Sequence, residues 1–246
     1  MCYSICEKNN KTAGIFMEWQ ILWKNNEDKT VRPLTDWICI GGGFGAVIFI
    51  NLMTLNGFKL PLMVFPLLVI LLTFSGTVYS EGDILKTLHL IPEKSISFLK
   101  FFRYFILMFI CMFLANYATQ LICRFLQIPL PQQPLVELAR YGSWQDFFQV
   151  AATAVIFAPA AEELYFRGAL FRRLHSVMPA ISAMGITAIF FAAAHANLYS
   201  AASLLIMSVF LSLEYLRTNS VRNCILFHAC NNLIAMLQIL FFRLMQ

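Results

Sequence analysis

The chain has 246 residues, of which 59% are hydrophobic and 13% are charged, and its mean hydropathy is +0.69. This apolar content exceeds what one soluble core of this length needs, which excludes an ordinary soluble domain and indicates a polytopic membrane protein. A net charge of +5 is compatible with nucleic acid, but Lys and Arg lie in short loops between apolar segments, where they encode membrane orientation, so we expect no nucleic-acid partner.

Residues 1–33 carry charges of both signs and have no apolar core long enough for a secretory signal. Their apolar residues are spaced to form one helical face, which predicts an interfacial helix in this segment. Seven apolar runs long enough to span a bilayer follow. They lie near 36–55, 60–79, 103–123, 148–171, 180–197, 202–217 and 221–242. We therefore expect an all-α bundle of about seven transmembrane helices, or eight if one span is hidden.

The basic residues predict the orientation of this bundle. With a cytoplasmic N-terminus, fourteen of the eighteen Lys and Arg residues lie on the inner side, and the other four, Lys59, Arg124, Arg140 and Arg243, lie outside. Such a bias favours a multi-pass protein of the cell membrane with its N-terminus in the cytoplasm. A hidden eighth span would move only the C-terminus. The first three spans occupy 34–126, and a second helical unit occupies 145–242.

Several local features are structural in this interpretation. The glycines of 41–45 lack the Lys-Ser/Thr ending of a phosphate loop and lie within a span, so they indicate close helix packing. The loop 127–143 contains Pro129, Pro131 and Pro134, which predicts an external connector or lid without a helix. The seven cysteines have no paired Cys-x-x-Cys spacing and are interpreted as reduced apolar residues.

Polar groups of catalytic type are rare in the spans and concentrate in the second unit. A charged side chain at membrane depth is costly and marks a functional candidate. The candidates are Glu162, Glu163, Arg167, His195, His228 and Asn232.

A spacing of four residues places two side chains on one helical face, so Glu163 faces Arg167, Phe191 faces His195, and His228 faces Asn232. A buried carboxylate can take a proton from water, a histidine can hold that water, and further donors can stabilise an oxyanion. These are the parts of a hydrolase. The alternative is a purely structural set, in which buried polar groups pair and join helices by hydrogen bonds.

Taken together, three motifs resemble those of the CPBP family, the CAAX-protease and bacteriocin-processing (Abi) intramembrane proteases. They are Glu162-Glu163-x-x-x-Arg167, Phe191-x-x-x-His195 and His228-x-x-x-Asn232. Phe166-Arg167-Gly168 and the segment 215–220 also read like family members, and the resemblance covers about residues 145–242. It implies an intramembrane endopeptidase that acts on a membrane-associated substrate, which is a prenylated protein, a bacteriocin-like leader peptide or a membrane protein.

The resemblance also implies roles for the residues. Glu162 and His195 would activate the attacking water, His228 and Asn232 would bind the oxyanion, and Glu163 and Arg167 would support them. One Glu and two His are also a ligand set that zinc accepts, so a zinc site on Glu162, His195 and His228 is the alternative. We favour the metal-free version, because the sequence shows no carboxylate that could hydrogen-bond to either histidine and orient it as a metal ligand, beyond the glutamates in use.

Depth in the membrane constrains this site. Spans entering at Gln145 and Pro179 would leave Glu162 and His195 about 20 Å apart in depth, given a rise of about 1.5 Å per residue and a core of about 30 Å. Spans over 153–172 and 184–203 would instead place both residues near the middle of the membrane. They predict an inner loop at 174–183 and a turn that dips into the membrane near residues 197–203.

Two rival functions are compatible with membrane helices. A non-catalytic scaffold or bacteriocin-immunity protein would carry decayed motifs, whereas all three motifs are intact here. A transporter would show matching broken spans in two similar halves, and the halves of this chain show no similarity.

Overall fold

The structure, a computed structural model, describes Gly41, residues 97–129 and residues 133–246. This part of the chain is built of helices without strands, which confirms the predicted all-α class. Its six helices are α1 (Phe98–Phe125), α2 (Pro134–Tyr141), α3 (Trp144–Val177), α4 (Ala180–Ala194), α5 (Leu198–Thr218) and α6 (Val221–Leu244). The interfacial helix predicted in 1–33 and the spans predicted near 36–55 and 60–79 lie outside the described residues, apart from Gly41.

Four of these helices, α1, α3, α5 and α6, are long and apolar enough to cross a membrane. Helix α4 is apolar but has only 15 residues, so at 1.5 Å per residue it rises about 22 Å. That is less than the roughly 30 Å of a bilayer core. The run predicted as a span near 180–197 is therefore too short to cross alone, and the total of about seven spans stays a prediction.

The outer surface of the described helices is apolar. In the most apolar 18-residue stretch of α1 only 11% of the residues are buried. Phe113 and Leu114 are among the exposed side chains of this helix. In water an apolar surface of this extent would drive association. In a bilayer it faces hydrocarbon, so the exposed face of α1 agrees with a membrane protein.

Helix α5 is the central element of the bundle. It packs against α1, α4 and α6 and also touches the second half of α3. Its buried face includes the small side chains of Ser203, Ser208 and Ser212. Small residues let helices approach closely in membranes, which gives buried side chains on α3 access to the backbone of α5.

The proline-rich connector contains a helix, so the prediction for 127–143 is wrong over residues 134–141. Pro134 occupies the start of α2, where the missing N–H would be unpaired in any case. Arg243, near the end of α6, donates to the carbonyl oxygens of Ala139 at 2.8 Å and Gly142 at 3.0 Å. A proline disfavours a helix that passes through it but favours one that starts at it, and Arg243 holds the end of that helix.

Helix α3 carries both adjacent glutamates. It begins with a capping box between Ser143 and Asp146 and runs to Val177. Two segments of it, Thr153–Phe157 and Leu164–Phe171, have the wider π-helical turn. Glu162 and Glu163 end the α-helical turn between them, at Ala158–Glu163. Single π turns within α-helices are frequent at functional sites, because they rotate the side chains that follow.

The chain turns at residues 195–197, between α4 and α5. Ala196 adopts a positive φ of 47°, and the Asn197 side chain accepts from the Ser200 N–H at 3.2 Å to start α5. The predicted span over 184–203 is therefore wrong, because the N-cap at Asn197 starts a new helix within it. The apolar runs near 180–197 and 202–217 place the same break slightly later, at 198–201. The inner loop predicted at 174–183 is also wrong, since only Met178 and Pro179 separate α3 from α4.

Candidate active site

The two adjacent glutamates of α3 point in different directions, as neighbours on a helix must. Glu163 is completely buried, whereas the Glu162 side chain keeps 18% of its surface exposed. The Glu163 carboxylate lies in a network of buried polar groups. The Glu162 carboxylate reaches a less enclosed space between the two histidines.

Glu163 pairs with Arg167 one turn further along α3, as the spacing predicts. Arg167 Nη1 lies 3.0 Å from Glu163 Oε1, and both side chains are fully buried. Arg167 Nη2 also donates to the carbonyl oxygen and to Oγ of Ser208, each at 2.8 Å. The guanidinium therefore bridges α3 and α5 and compensates the buried charge of Glu163. Sequence analysis missed Ser208, because no local pattern distinguishes it from other serines in α5.

His228 is buried and makes its hydrogen bond to the same carboxylate. Its Nδ1 lies 2.9 Å from Glu163 Oε1. A carboxylate only accepts, so Nδ1 carries the hydrogen and Nε2 is turned towards Glu162. Nε2 lies 3.9 Å from Glu162 Oε2. The carboxylate that supports His228 is thus Glu163, one of the two glutamates of the motif, which serves Arg167 and His228 together.

His195 follows the last residue of α4 and faces the same oxygen. Its Nδ1 lies 2.8 Å from the carbonyl oxygen of Phe191, so Nδ1 donates, and Nε2 lies 3.8 Å from Glu162 Oε2. The predicted pairing of Phe191 with His195 is confirmed. A separation of Glu162 and His195 beyond about 10 Å, one helix diameter, would have excluded a shared site.

Glu162 Oε2 is the point at which the histidines converge. It is buried and has no hydrogen-bond partner among the described residues. Buried carboxylate oxygens normally have partners. The two Nε2 atoms, at 3.8 and 3.9 Å, are too far for direct hydrogen bonds. Polar groups at such separations are commonly bridged by water, so this geometry fits a water site between Glu162 and the imidazoles.

Asn232 lies one turn after His228 on α6. It contacts α3 at Ala154, one residue into the first π segment, and it also contacts its neighbour Asn231. Its Nδ2 donates to the carbonyl oxygen of Ala154 at 2.8 Å, and its Oδ1 accepts from Asn231 Nδ2 at 3.3 Å. The amide has a second hydrogen on Nδ2. The sequence motif names Asn232 but gives no signal for its partners.

Phe191 contacts more of the candidate residues than its place in a motif indicates. Its buried ring lies 5.1 Å from the Arg167 guanidinium, and its centroid is 4.8 Å from that of His195 and 5.9 Å from that of His228. A ring in this position limits the orientations of both imidazoles. Phe191 is therefore part of the wall of the site.

The donor types of Glu162, His195 and His228 are those that zinc accepts. However, in the part of the chain that the structure describes, no group of three or more His, Cys, Asp or Glu side chains is placed to hold a metal ion. The donor set fits zinc by chemistry, but among the described residues these side chains are not arranged to hold the ion together.

Residues 144–234 match a protein-family model described as "Type II CAAX prenyl endopeptidase Rce1-like". The matched segment contains Glu162, His195, His228 and Asn232, and it confirms the family resemblance that the motifs indicated. No curated protein and no solved structure gave a significant match. At the level of the family, the match supports a CAAX-type intramembrane protease.

Proposed function

We propose that this chain, whose residues 144–234 match the Rce1-like family, is an intramembrane endopeptidase that hydrolyses a peptide bond of a membrane-associated substrate. One observation carries the proposal: an unpartnered oxygen of Glu162 lies within 4 Å of the Nε2 atoms of two histidines from two other helices. The charge of Glu163 is already compensated by Arg167. The Glu162 carboxylate is thus available for chemistry while its neighbour supports the site.

In the proposed reaction Glu162 and His195 hold the attacking water. Because His195 Nδ1 donates to the Phe191 carbonyl, the Nε2 atom of the neutral ring accepts a hydrogen bond from one O–H group of the water, and that hydrogen stays on the water oxygen. Glu162 takes the other proton as the water oxygen bonds to the carbonyl carbon of the substrate. The same proton passes to the amide nitrogen as the C–N bond breaks, which releases a carboxylic acid and an amine and restores Glu162.

His228 and Asn232 are the proposed oxyanion donors. His228 Nδ1 already donates to Glu163, so Nε2 can donate to an oxyanion only when the ring carries a hydrogen on both nitrogens. Asn232 would use the second hydrogen of Nδ2, because the bond to Ala154 takes the first. Preorganised donors of this kind stabilise the charge that develops in the transition state.

We propose that the reaction proceeds without a metal ion. The support is geometric, since no three ligand-type side chains among the described residues are placed to hold one. Zinc at Glu162, His195 and His228 would instead act as a Lewis acid on the water. Removal of divalent ions separates the two versions.

We propose that the substrate is prenylated, in agreement with the description of the matching family model. The test uses three fluorogenic peptides with the purified protein in detergent. They are a peptide ending in a CAAX sequence with a farnesylated cysteine, the same peptide without the farnesyl group, and a bacteriocin-type leader peptide. Cleavage of the first alone, after its cysteine by mass spectrometry, is expected. Preferential cleavage of the leader peptide would contradict the prenyl assignment and leave the endopeptidase assignment in place.

The proposed location is the cell membrane, with the N-terminus and the α3–α4 connection on the cytoplasmic side. Support comes from the bias of Lys and Arg and from Arg172 and Arg173 near the end of α3. The helical hairpin of α4 and α5 enters and leaves on one side, so the short α4 does not change this topology. Protease protection of an N-terminal tag in sealed vesicles tests it.

A further inference from the structure

Helix α3 has a backbone carbonyl that its own helix cannot satisfy. In the first π segment the N–H of Ala158 donates to the carbonyl of Thr153, five residues earlier. The next bond in this register would join the N–H of residue 159 to the carbonyl of Ala154. Residue 159 is proline and has no N–H. In this register the carbonyl of Ala154 is therefore left without a partner from α3.

Asn232, on helix α6, donates a hydrogen bond to this carbonyl. Its Nδ2 donates to the Ala154 carbonyl oxygen at 2.8 Å, a contact between residues 78 positions apart in sequence. The other end of the same amide accepts from Asn231 at 3.3 Å. Both ends of the Asn232 amide thus make hydrogen bonds. The bond to the Ala154 carbonyl depends on Pro159, which has no N–H to compete for that carbonyl and whose side chain is completely buried.

The proline is compatible with the wider turn at Thr153–Phe157. In an α-helix its ring would collide with the carbonyl four residues earlier, and a wider turn relieves that collision. Proline is otherwise costly in the interior of a helix. Pro159, three residues before Glu162, therefore leaves the carbonyl of Ala154 free to accept a hydrogen bond from Asn232.

We propose that Pro159 is a positioning residue for Asn232: it keeps the Ala154 carbonyl free to orient the amide that binds the oxyanion. This inference rests on the proposed function, because it needs Asn232 to act on the reacting carbonyl. Pro159 itself touches no reacting atom. It acts through Ala154 and Asn232.

The test is Pro159→Ala, alone and combined with Asn232→Ala, assayed on the farnesylated CAAX peptide. Alanine restores an N–H that competes for the carbonyl, and it favours a regular helix. We expect kcat to fall about 10-fold to 10²-fold with little change in KM, as for a misplaced catalytic group. The midpoint of thermal unfolding should stay the same or rise. Pro179→Ala, at the start of α4, is the matched control and should keep the wild-type kcat.

The double variant separates positioning from a general structural role. If Pro159 acts through Asn232, Pro159→Ala should cause no further loss of kcat when Asn232 is already alanine. Three results would overturn the inference. Pro159→Ala could lower kcat by the same factor in the wild type and in Asn232→Ala, it could leave kcat at the wild-type value, or it could lower kcat together with the unfolding midpoint. Failure of the proposed function has a different signature, since Glu162→Gln would then cleave the peptide at the wild-type rate.

Discussion

Replacement of Arg167 by alanine should destabilise the protein strongly, because it leaves the carboxylate of Glu163 buried without its cation. Arg167 is itself fully buried and also donates two hydrogen bonds to Ser208. Breaking a buried ion pair from one side costs about 3 to 5 kcal/mol. For a protein of this size, 1 kcal/mol shifts the unfolding midpoint by about 2 to 4 °C. The expected shift for Arg167→Ala is therefore about 6 to 20 °C downwards.

Thermal unfolding of the purified protein in detergent measures this shift. The control is Arg222→Ala, which removes an exposed arginine from the start of α6 and should change stability by about 0.5 kcal/mol at most. The double variant Glu163→Gln with Arg167→Met removes both charges and should recover most of the loss, since no unpaired charge then stays buried. Equal midpoints for Arg167→Ala and Arg222→Ala would refute the structural role of the pair.

Three further predictions concern activity on the farnesylated peptide. His195→Ala should lower kcat by about 10² to 10⁴-fold, because the water loses the acceptor that positions it, and a loss below 10-fold would contradict that role. Asn232→Ala should cost about 3 to 4 kcal/mol at most, mainly in kcat, as for one oxyanion donor; an effect on KM alone would instead assign it to substrate binding. Activity should survive removal of divalent ions by a chelator, whereas loss on chelation and recovery with zinc would establish a zinc site at Glu162, His195 and His228.

The sequence predicts those parts of the fold that depend on residues close to one another in the chain. Hydropathy locates α1, α3, α5 and α6 with ends that differ from the observed ones by up to six residues, and the four-residue spacing predicts the pair of Glu163 and Arg167. Hydropathy places the break between α4 and α5 at residues 198–201, whereas the cap at Asn197 places it at 195–197. Sequence analysis misses helix α2, because three prolines indicate a connector without a helix, whereas Pro134 starts one.

The candidate site was predictable as a set of residues but not as a network. Motif spacing identifies Glu162, His195 and His228, yet the bond between His228 and Glu163 joins residues 65 positions apart. Ser208 has no sequence signal, because its role depends on how closely α5 approaches α3. Contacts of this kind arise from helix packing and cannot be inferred from the periodicity of either helix alone.

The central claim is that Glu162 is the base that activates water, and Glu162→Gln tests it most directly. The substitution keeps the shape and most hydrogen bonding of the side chain but removes the group that accepts the proton. We predict that kcat on the farnesylated peptide falls by about 10² to 10⁴-fold while the unfolding midpoint stays close to that of the wild type. Cleavage at the wild-type rate by a correctly folded Glu162→Gln protein would contradict the account.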